Sequence, residues 1–333
     1  MSSLSRATGG LLLPRFARIG RCVITQSNKE TMMTNDSATT LRLLFPQWQG
    51  GNNPPYYFGS QMLSWLAPEA AGPTEQVTVS QPGVEALEIE DGITGRRALL
   101  AQLNDARQLI DKHQPDRLVV LGGDCLVDLA PFAYLNERYN GDLAVLWVDT
   151  HPDISTPKVN ENGHTMVLGS LLGEGDADFV GAVKRPIKPQ NVMFAGRRDT
   201  SKDFPEILEV ETALIERLKL RSAGSSDLAD TSAPVLDWLK SINAKHLAIH
   251  FDLDVLNPTL FRSLLFANPD PSSPSMDRYP SGQMTMEQVV RLLSDVSKVV
   301  DVVGLGITEH LPWDSLALKT MLSKLPLIGS PAR

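Results

Sequence analysis

Residues 144–153 read AVLWVDTHPD, and the rest of the chain is organised around them. The first half is a run of branched and aromatic apolar residues, with Gly141 and Asp142 before it and Pro152 after it. That is the mark of a strand buried on both faces of a parallel sheet. The second half is polar. Asp149, His151 and Asp153 alternate, so if extended geometry continues past Val148 all three side chains share one face. They would then stand at the carboxyl end of the strand, where open α/β sheets place their ligands. Two carboxylates and an imidazole at period two are donors suited to Mn, Fe, Co or Zn. The bland alternative is a satisfied polar cluster closing a strand end.

A second stretch strengthens the metal reading. Residues 246–258, HLAIHFDLDVLNP, again run from apolar strand residues into alternating acids, Asp252 and Asp254, and stop at a proline. Carboxylates gathered at the ends of adjacent buried strands repel each other and lose hydration unless a cation neutralises them. Four carboxylates and one histidine can hold two divalent ions with a bridging water, an arrangement that generates hydroxide at neutral pH.

Outward from these stretches the pattern alternates. Residues 41–51 read as a first strand running into a loop, and 51–68 as a long connection rich in Pro and Gly that lies over a neighbouring surface. Helical spacing begins at Asp91, placed to cap, and is followed by a strand over 117–124 and a helix over 126–139. After the organising strand come a short helix over 164–172, a strand at 191–198, and mostly helix over 205–240 with a polar break at 222–226. A loop rich in Pro and Ser fills 268–282. Thr285 with Gln288 three residues on is a capping-box spacing, and the helix it opens leads to a last strand near 300–312. Strand and helix alternate without repeats or an obvious linker. The expected fold is therefore α/β, a three-layer αβα sandwich with a mostly parallel central sheet, as one domain over 39–328.

Composition bounds the function. Of 333 residues, 42% are hydrophobic and 21% charged, ordinary for a soluble globular chain, and the net charge of -8 argues against nucleic acid as a partner. No apolar run is long enough to span a membrane. Cys22 and Cys125 sit in unlike contexts, which favours a reducing, intracellular compartment over a disulfide. Residues 1–29 carry Arg6, Arg15, Arg18, Arg21 and Lys29, several serines and no acid. That composition is like a mitochondrial transit peptide, although Pro14 and Gly20 interrupt an amphipathic helix and Met32 or Met33 offers another start. Residues 1–38 thus read as an extension outside the fold, and the location as cytoplasmic, or mitochondrial if 1–31 act as a transit peptide.

The motifs follow one another in a recognisable order. GGDC at 122–125, DTHPD at 149–153, ENGH at 161–164, HFDLDVLNP at 250–258 and TEHLP at 308–312 resemble the signature blocks of the ureohydrolase superfamily, which includes arginase, agmatinase and formimidoylglutamase. The resemblance implies an arginase-like metallohydrolase, often a homo-oligomer (trimer or hexamer), with two divalent ions, usually Mn2+. The implied reaction is hydrolysis of a C–N bond in a small guanidino or amidino substrate, with a metal-bound hydroxide attacking the guanidinium carbon. By position, one metal would take Asp149, His151, Asp252 and Asp254. The other would take Asp149, Asp153, Asp252 and the residue at 125. His164 matches the proton-transfer histidine and Glu309 the carboxylate that receives the guanidinium.

Departures from the resemblance are informative. Position 125 is histidine in the family and Cys125 here, a soft ligand better matched to Zn2+ than to Mn2+ and one that must lose a proton to bind. The expectation is weaker manganese binding, another metal or an empty position; the alternative is that Cys125 is only a small buried residue, leaving one metal. Leu126, Asn257 and His250 replace a serine, an aspartate and a serine of the family pattern. Ser155 and Asn162 match poorly the residues with which arginases grip an amino-acid head group, so arginine is a doubtful substrate. Lys158, Arg197 and Arg198 read as surface charges or ion pairs that are also placed to meet a carboxylate. His113 reads as solvent-facing, His246 and His250 as packing or ligand-orienting groups, His310 as a group that orients Glu309, and Trp147 and Trp313 as core. The rival to the enzyme reading is a catalytically weakened relative that binds metal or ligand in a regulatory role.

Overall fold

The computed structural model describes residues 38–270 and 279–325; the expected N-terminal extension lies outside these, apart from Ala38. The described residues form ten strands and nine α-helices. The strands are β1 (Thr40–Phe45), β2 (Thr74–Gln76), β3 (Ile89–Glu90), β4 (Ile93–Thr94), β5 (Arg117–Gly122), β6 (Leu143–Val148), β7 (Val192–Ala195), β8 (Arg221–Ala223), β9 (His246–Asp252) and β10 (Asp301–Thr308). The helices are α1 (Pro55–Leu66), α2 (Arg96–His113), α3 (Leu129–Arg138), α4 (Val167–Leu171), α5 (Ala177–Gly181), α6 (Pro205–Leu218), α7 (Ala233–Ser241), α8 (Met286–Val296) and α9 (Trp313–Leu322).

Eight strands make one sheet in the order β2-β1-β5-β10-β9-β6-β7-β8, and every neighbouring pair is parallel. The short β3–β4 ribbon is antiparallel and separate. All six residues of β6 are buried, as its unbroken apolar run requires. Leu143, Val145 and Trp147 face a core closed by Leu99, Ala106 and Ile110 of α2 and Phe132 and Leu135 of α3. Ala144, Leu146 and Val148 face the opposite core, closed by Val235 and Trp238 of α7 and Val289 and Leu292 of α8. Each of the larger side chains contributes roughly 1.5–3 kcal/mol by leaving water, so both faces hold the strand in place. The result is the expected αβα sandwich.

Chain order positions the site. The chain lays down β1 and β5, passes to β6, and only later inserts β9 and β10 between β5 and β6. The carboxyl ends of these four central strands therefore meet at the point where winding reverses, the general ligand position of such sheets.

Several local expectations are corrected. The stretch 51–68 contains helix α1, because Pro55 occupies its first position, where a missing N–H costs nothing. Asp91 does not cap α2. It sits in the β3–β4 turn with a left-handed backbone (φ 50), and Gly95 (φ 66) precedes the helix. The polar break at 222–226 overlaps an edge strand, β8, too short to show a period. The capping box of Thr285 and Gln288 is present as expected. No described helix is long and apolar enough to cross a membrane.

Candidate metal centre

Four strand ends deliver the expected residues, each through a specific backbone device. After β5, a methyl group at Gly123 would overlap the Gln47 carbonyl, so glycine lets the chain turn there. Asp124 then accepts the Leu126 N–H (3.1 Å) and caps a 3-10 turn, Cys125–Asp128, that presents Cys125. After β6, extended geometry stops at Val148: Asp149 accepts the His151 N–H (2.7 Å), and Asp153 is left-handed (φ 48). The three residues are gathered by a turn rather than by continued strand alternation. After β9, Asp252 accepts the Asp254 N–H (2.6 Å) and caps a second 3-10 turn. After β10, Glu309 is left-handed (φ 64) and donates its N–H to the Gly123 carbonyl (2.7 Å). A non-glycine residue in that conformation costs on the order of 1–2 kcal/mol, here offset by the surrounding bonds.

Three sets of donor atoms converge, each lying within 4.8 Å: Cys125, Asp149, His250 and Asp252; Asp149, His151 and Asp254; and Asp252, Asp254 and Glu309. Asp149, Asp252 and Asp254 each belong to two sets, as bridging carboxylates do. The Cys125 thiol donates to Asp252 Oδ2 (2.9 Å) and lies 3.6 Å from Glu309 Oε1. His151 Nδ1 is 3.0 Å from Asp254 Oδ2 and 3.7 Å from Asp149 Oδ1. Asp153 is buried beside them, outside the three sets, with its Oδ2 unpartnered. His164 Nδ1 meets the Gly50 carbonyl at 2.9 Å, while its Nε2 is 3.8 Å from Glu309 Oε1.

The electrostatics ask for a cation. Burial, then the neighbouring charges of Asp149 and Asp254 respectively, push the carboxyls of Asp153 and Asp252 far up from their ordinary range. Burial and Asp254 raise Glu309 to about 8, against the pull of the Tyr56 hydroxyl and His151. Burial, then Asp252 and the other acids, raise the Cys125 thiol as well. Burial pushes Asp124 to about 6, with His164 drawing it down. Burial opposes a charged His151, yet Asp254 and Asp149 overcome it and raise its pKa. Against burial, His250 and His151 draw Asp149 down, whereas the other acids, crowded in low dielectric, hold protons until a metal replaces them. Unpartnered buried atoms point the same way: Asp153 Oδ2, Asp254 Oδ1 and His250 Nε2 have no hydrogen-bond partner among the described residues. The mixed carboxylate, imidazole and thiol donors fit one or two divalent ions of the Mn-to-Zn series.

Two buried residues, Asp128 and Tyr56, had no reading from the sequence, and a third, His250, read there as a packing or ligand-orienting group, stands among the donors. His250 belongs to a donor set, Asp128 bonds it (2.8 Å), and Tyr56 of α1 lies against Glu309. The signal for His250 was present, since it precedes Asp252 by two residues on one strand face. The bland readings fare variously. His113 pairs with Glu75 (2.6 Å), and His246 stacks on Tyr139 with ring centres 3.8 Å apart. His310 Nδ1 bonds the Gly59 carbonyl (3.0 Å), which ties it to α1 rather than to Glu309. Arg197 pairs with Asp199 (3.0 Å), Arg198 donates to the Ser281 carbonyl (2.8 Å), and Lys158 is exposed. Trp147 is fully buried, and Trp313 is half-buried with its indole N–H on the Leu264 carbonyl (2.7 Å).

Comparison with known proteins agrees with this geometry. Residues 69–264, more than half of the chain, match the Arginase family. An arginase of Staphylococcus aureus (strain MRSA252) is 28% identical over 142 residues, 42% of this chain and only 46% of that protein, so the match spans about half of that relative's length. Among solved structures, Entamoeba histolytica arginase in complex with L-ornithine is similar with a TM-score of 0.66 at 18% identity, over 85% of this chain and 96% of that one. Formimidoylglutamase of Bacillus subtilis is similar with a TM-score of 0.58 at 12% identity, over 84% and 81% of the two chains. At such identities the two structures speak for the fold, whereas the sequence match carries the kinship. With the acids gathered at the four central strand ends and that match running through three of them, the chain belongs to the arginase family, within the ureohydrolase superfamily.

Proposed function

We propose that this chain hydrolyses a C–N bond in a small linear amidine or guanidino compound, using two divalent metal ions. One observation carries the reading: buried donor sets at the strand ends share Asp149, Asp252 and Asp254, the arrangement needed to hold two cations side by side. By analogy with the family, Asp149, His151, Asp252 and Asp254 hold one ion, and Cys125, Asp149, Asp153 and Asp252 the other. Bound there, such ions supply a nucleophile from water near neutral pH by lowering its pKa to about 7.

The chain's own residues do the rest. Glu309 is buried among acids at the edge of the cluster, outside both ligand sets assigned by analogy, and is the carboxylate that a planar cation would meet; the arriving charge would favour its ionised form. His164 has its tautomer set by its neighbour. A carbonyl only accepts, so Nδ1 carries the proton given to Gly50 O, and Nε2 keeps a lone pair 3.8 Å from Glu309. Nε2 can therefore take up a proton and return it to a leaving amine. Assembly into trimers or hexamers is part of the same proposal.

The test is a screen of metal-loaded protein for release of urea, ammonia or amine from guanidino acids, guanidino amines and formimidoyl amino acids. Turnover of one class that is lost in Glu309→Gln supports the proposal. Two bound metals with no turnover on any class would favour the weakened, regulatory relative.

A further inference from the structure

We propose that His250 is itself a metal ligand, and that Cys125, Asp149, His250 and Asp252 form a sulfur, nitrogen and two-oxygen site that selects zinc over manganese. The proposal rests on the reading that the acidic cluster holds metal. It goes beyond that reading by putting His250 in the place there given to Asp153, and so moving an imidazole ligand from the turn after β5, where the family resemblance places it, to the middle strand β9.

The ring is fixed in place from three sides. His250 Nδ1 lies 2.8 Å from Asp128 Oδ2, and neither residue has any exposed surface. Trp147, its cross-strand neighbour on β6, stacks on it with ring centres 3.7 Å apart and planes 12° apart. On the other side Gly306 of β10 is its register partner, and a methyl group there would overlap the Asp128 carboxylate. Glycine at 306 thus makes the notch through which Asp128 reaches the ring. What these contacts leave over is Nε2, buried, without a hydrogen-bond partner, and 3.7 Å from Asp149 Oδ2.

A buried polar atom left unpaired costs roughly 1–3 kcal/mol, and a buried ion pair by itself adds little stability. A structural role for the Asp128–His250 pair leaves Nε2 with only the long 3.7 Å approach to Asp149, short of a hydrogen bond. A ligand role explains it, because a metal-binding imidazole commonly gives its other ring nitrogen to a carboxylate that fixes its tautomer and aim. Cys125 supplies the softer donor. Thiolate and imidazole together suit zinc, whereas manganese favours carboxylate oxygen. On binding, the thiol proton leaves to solvent and the sulfur lone pair meets the ion.

The experiment is zinc K-edge X-ray absorption on the full chain loaded with one equivalent of zinc, with zinc affinity measured by competition. Wild type should show one sulfur at about 2.3 Å with imidazole scattering. His151→Asn should keep both signals, and His250→Asn should keep sulfur and lose imidazole. Asp128→Asn, which preserves the ring, should weaken zinc by about 10–100-fold. Should His250→Asn not fold, the wild type, His151→Asn and Asp128→Asn still decide. Imidazole without sulfur in wild type, imidazole lost in His151→Asn, or unchanged affinity in Asp128→Asn overturns the proposal while leaving the cluster a metal centre. No bound zinc or manganese at all overturns the functional reading with it.

Discussion

Gly306→Ala tests the packing that aims His250. The added methyl overlaps the Asp128 carboxylate, which lies in the notch beneath the glycine, so Asp128 must swing away from the ring it bonds at 2.8 Å. Both partners are fully buried; against burial, Asp128 and then Asp149 raise the His250 pKa, and burial raises that of Asp128, so the two are held as a buried, hydrogen-bonded acid–imidazole pair. Breaking one side of such a pair costs about 3–5 kcal/mol. Alanine recovers roughly 0.5–1 kcal/mol over glycine within a strand. The net loss is about 2–4 kcal/mol, which at roughly 2 °C per kcal/mol for a chain of this length lowers Tm by about 4–8 °C. The assay is chemical and thermal unfolding of the metal-free protein, repeated in an Asp128→Ala background. There the overlap is gone, and Gly306→Ala should be nearly neutral, giving a coupling above ~1 kcal/mol. A loss under ~0.5 kcal/mol that adds independently to Asp128→Ala would refute the reasoning.

Three further outcomes are expected. Cys125→His should raise manganese affinity at least ~10-fold in a titration following free Mn(II) by electron paramagnetic resonance; unchanged affinity would mean that position 125 does not face the ions. Thr285→Ala removes the side chain that accepts the Gln288 N–H (3.2 Å) and should cost about 1 kcal/mol in urea unfolding, whereas Thr285→Ser should restore most of it. Glu137 receives Arg107 at 2.8 Å through both oxygens, and that guanidinium holds its carboxyl below the ordinary value. A depressed folded pKa contributes stability above the unfolded pKa and loses it as pH falls through the folded one. Glu137→Gln should therefore cost ~0.5–1 kcal/mol at pH 7, with the deficit fading below about pH 4 in pH-dependent unfolding curves.

How much was legible from residues alone depended on how local the cause was. β6 was legible because burial on both faces leaves an unbroken apolar run, and the Thr285 cap because its partners are three residues apart. Helix α1 was hidden by its prolines, which break helices in the interior and open them at the first position. β8, three residues at the sheet edge, has no room for a period. In the metal centre, Asp149, His151, Asp252 and Asp254 announced themselves at period two, while Cys125 was singled out only by the resemblance of GGDC to a family block. His250 shares that period, but its tie to Asp128 was not legible, because the two are 122 residues apart in sequence and only the register sets Trp147 and Gly306 on either side of the ring. Strand alternation also misjudged Asp153: a left-handed turn, rather than an extended chain, carries it to its buried position beside the donor sets.

The most direct test of the account is the metal-to-protein ratio, measured by elemental analysis after the metal-free chain is loaded with excess Mn(II) or Zn(II) and desalted, for wild type and Asp252→Asn. Asp252 lies in two of the three donor sets, and its loss should remove shared coordination. The expected result is one to two ions per desalted wild-type chain and near-total loss in Asp252→Asn; measured before desalting, with free metal a hundredfold above Kd, wild type should gain about 2.7 kcal/mol and several degrees in Tm. Wild-type protein that retains neither metal, or Asp252→Asn that retains both ions, would contradict the central claim that these strand ends form a metal centre.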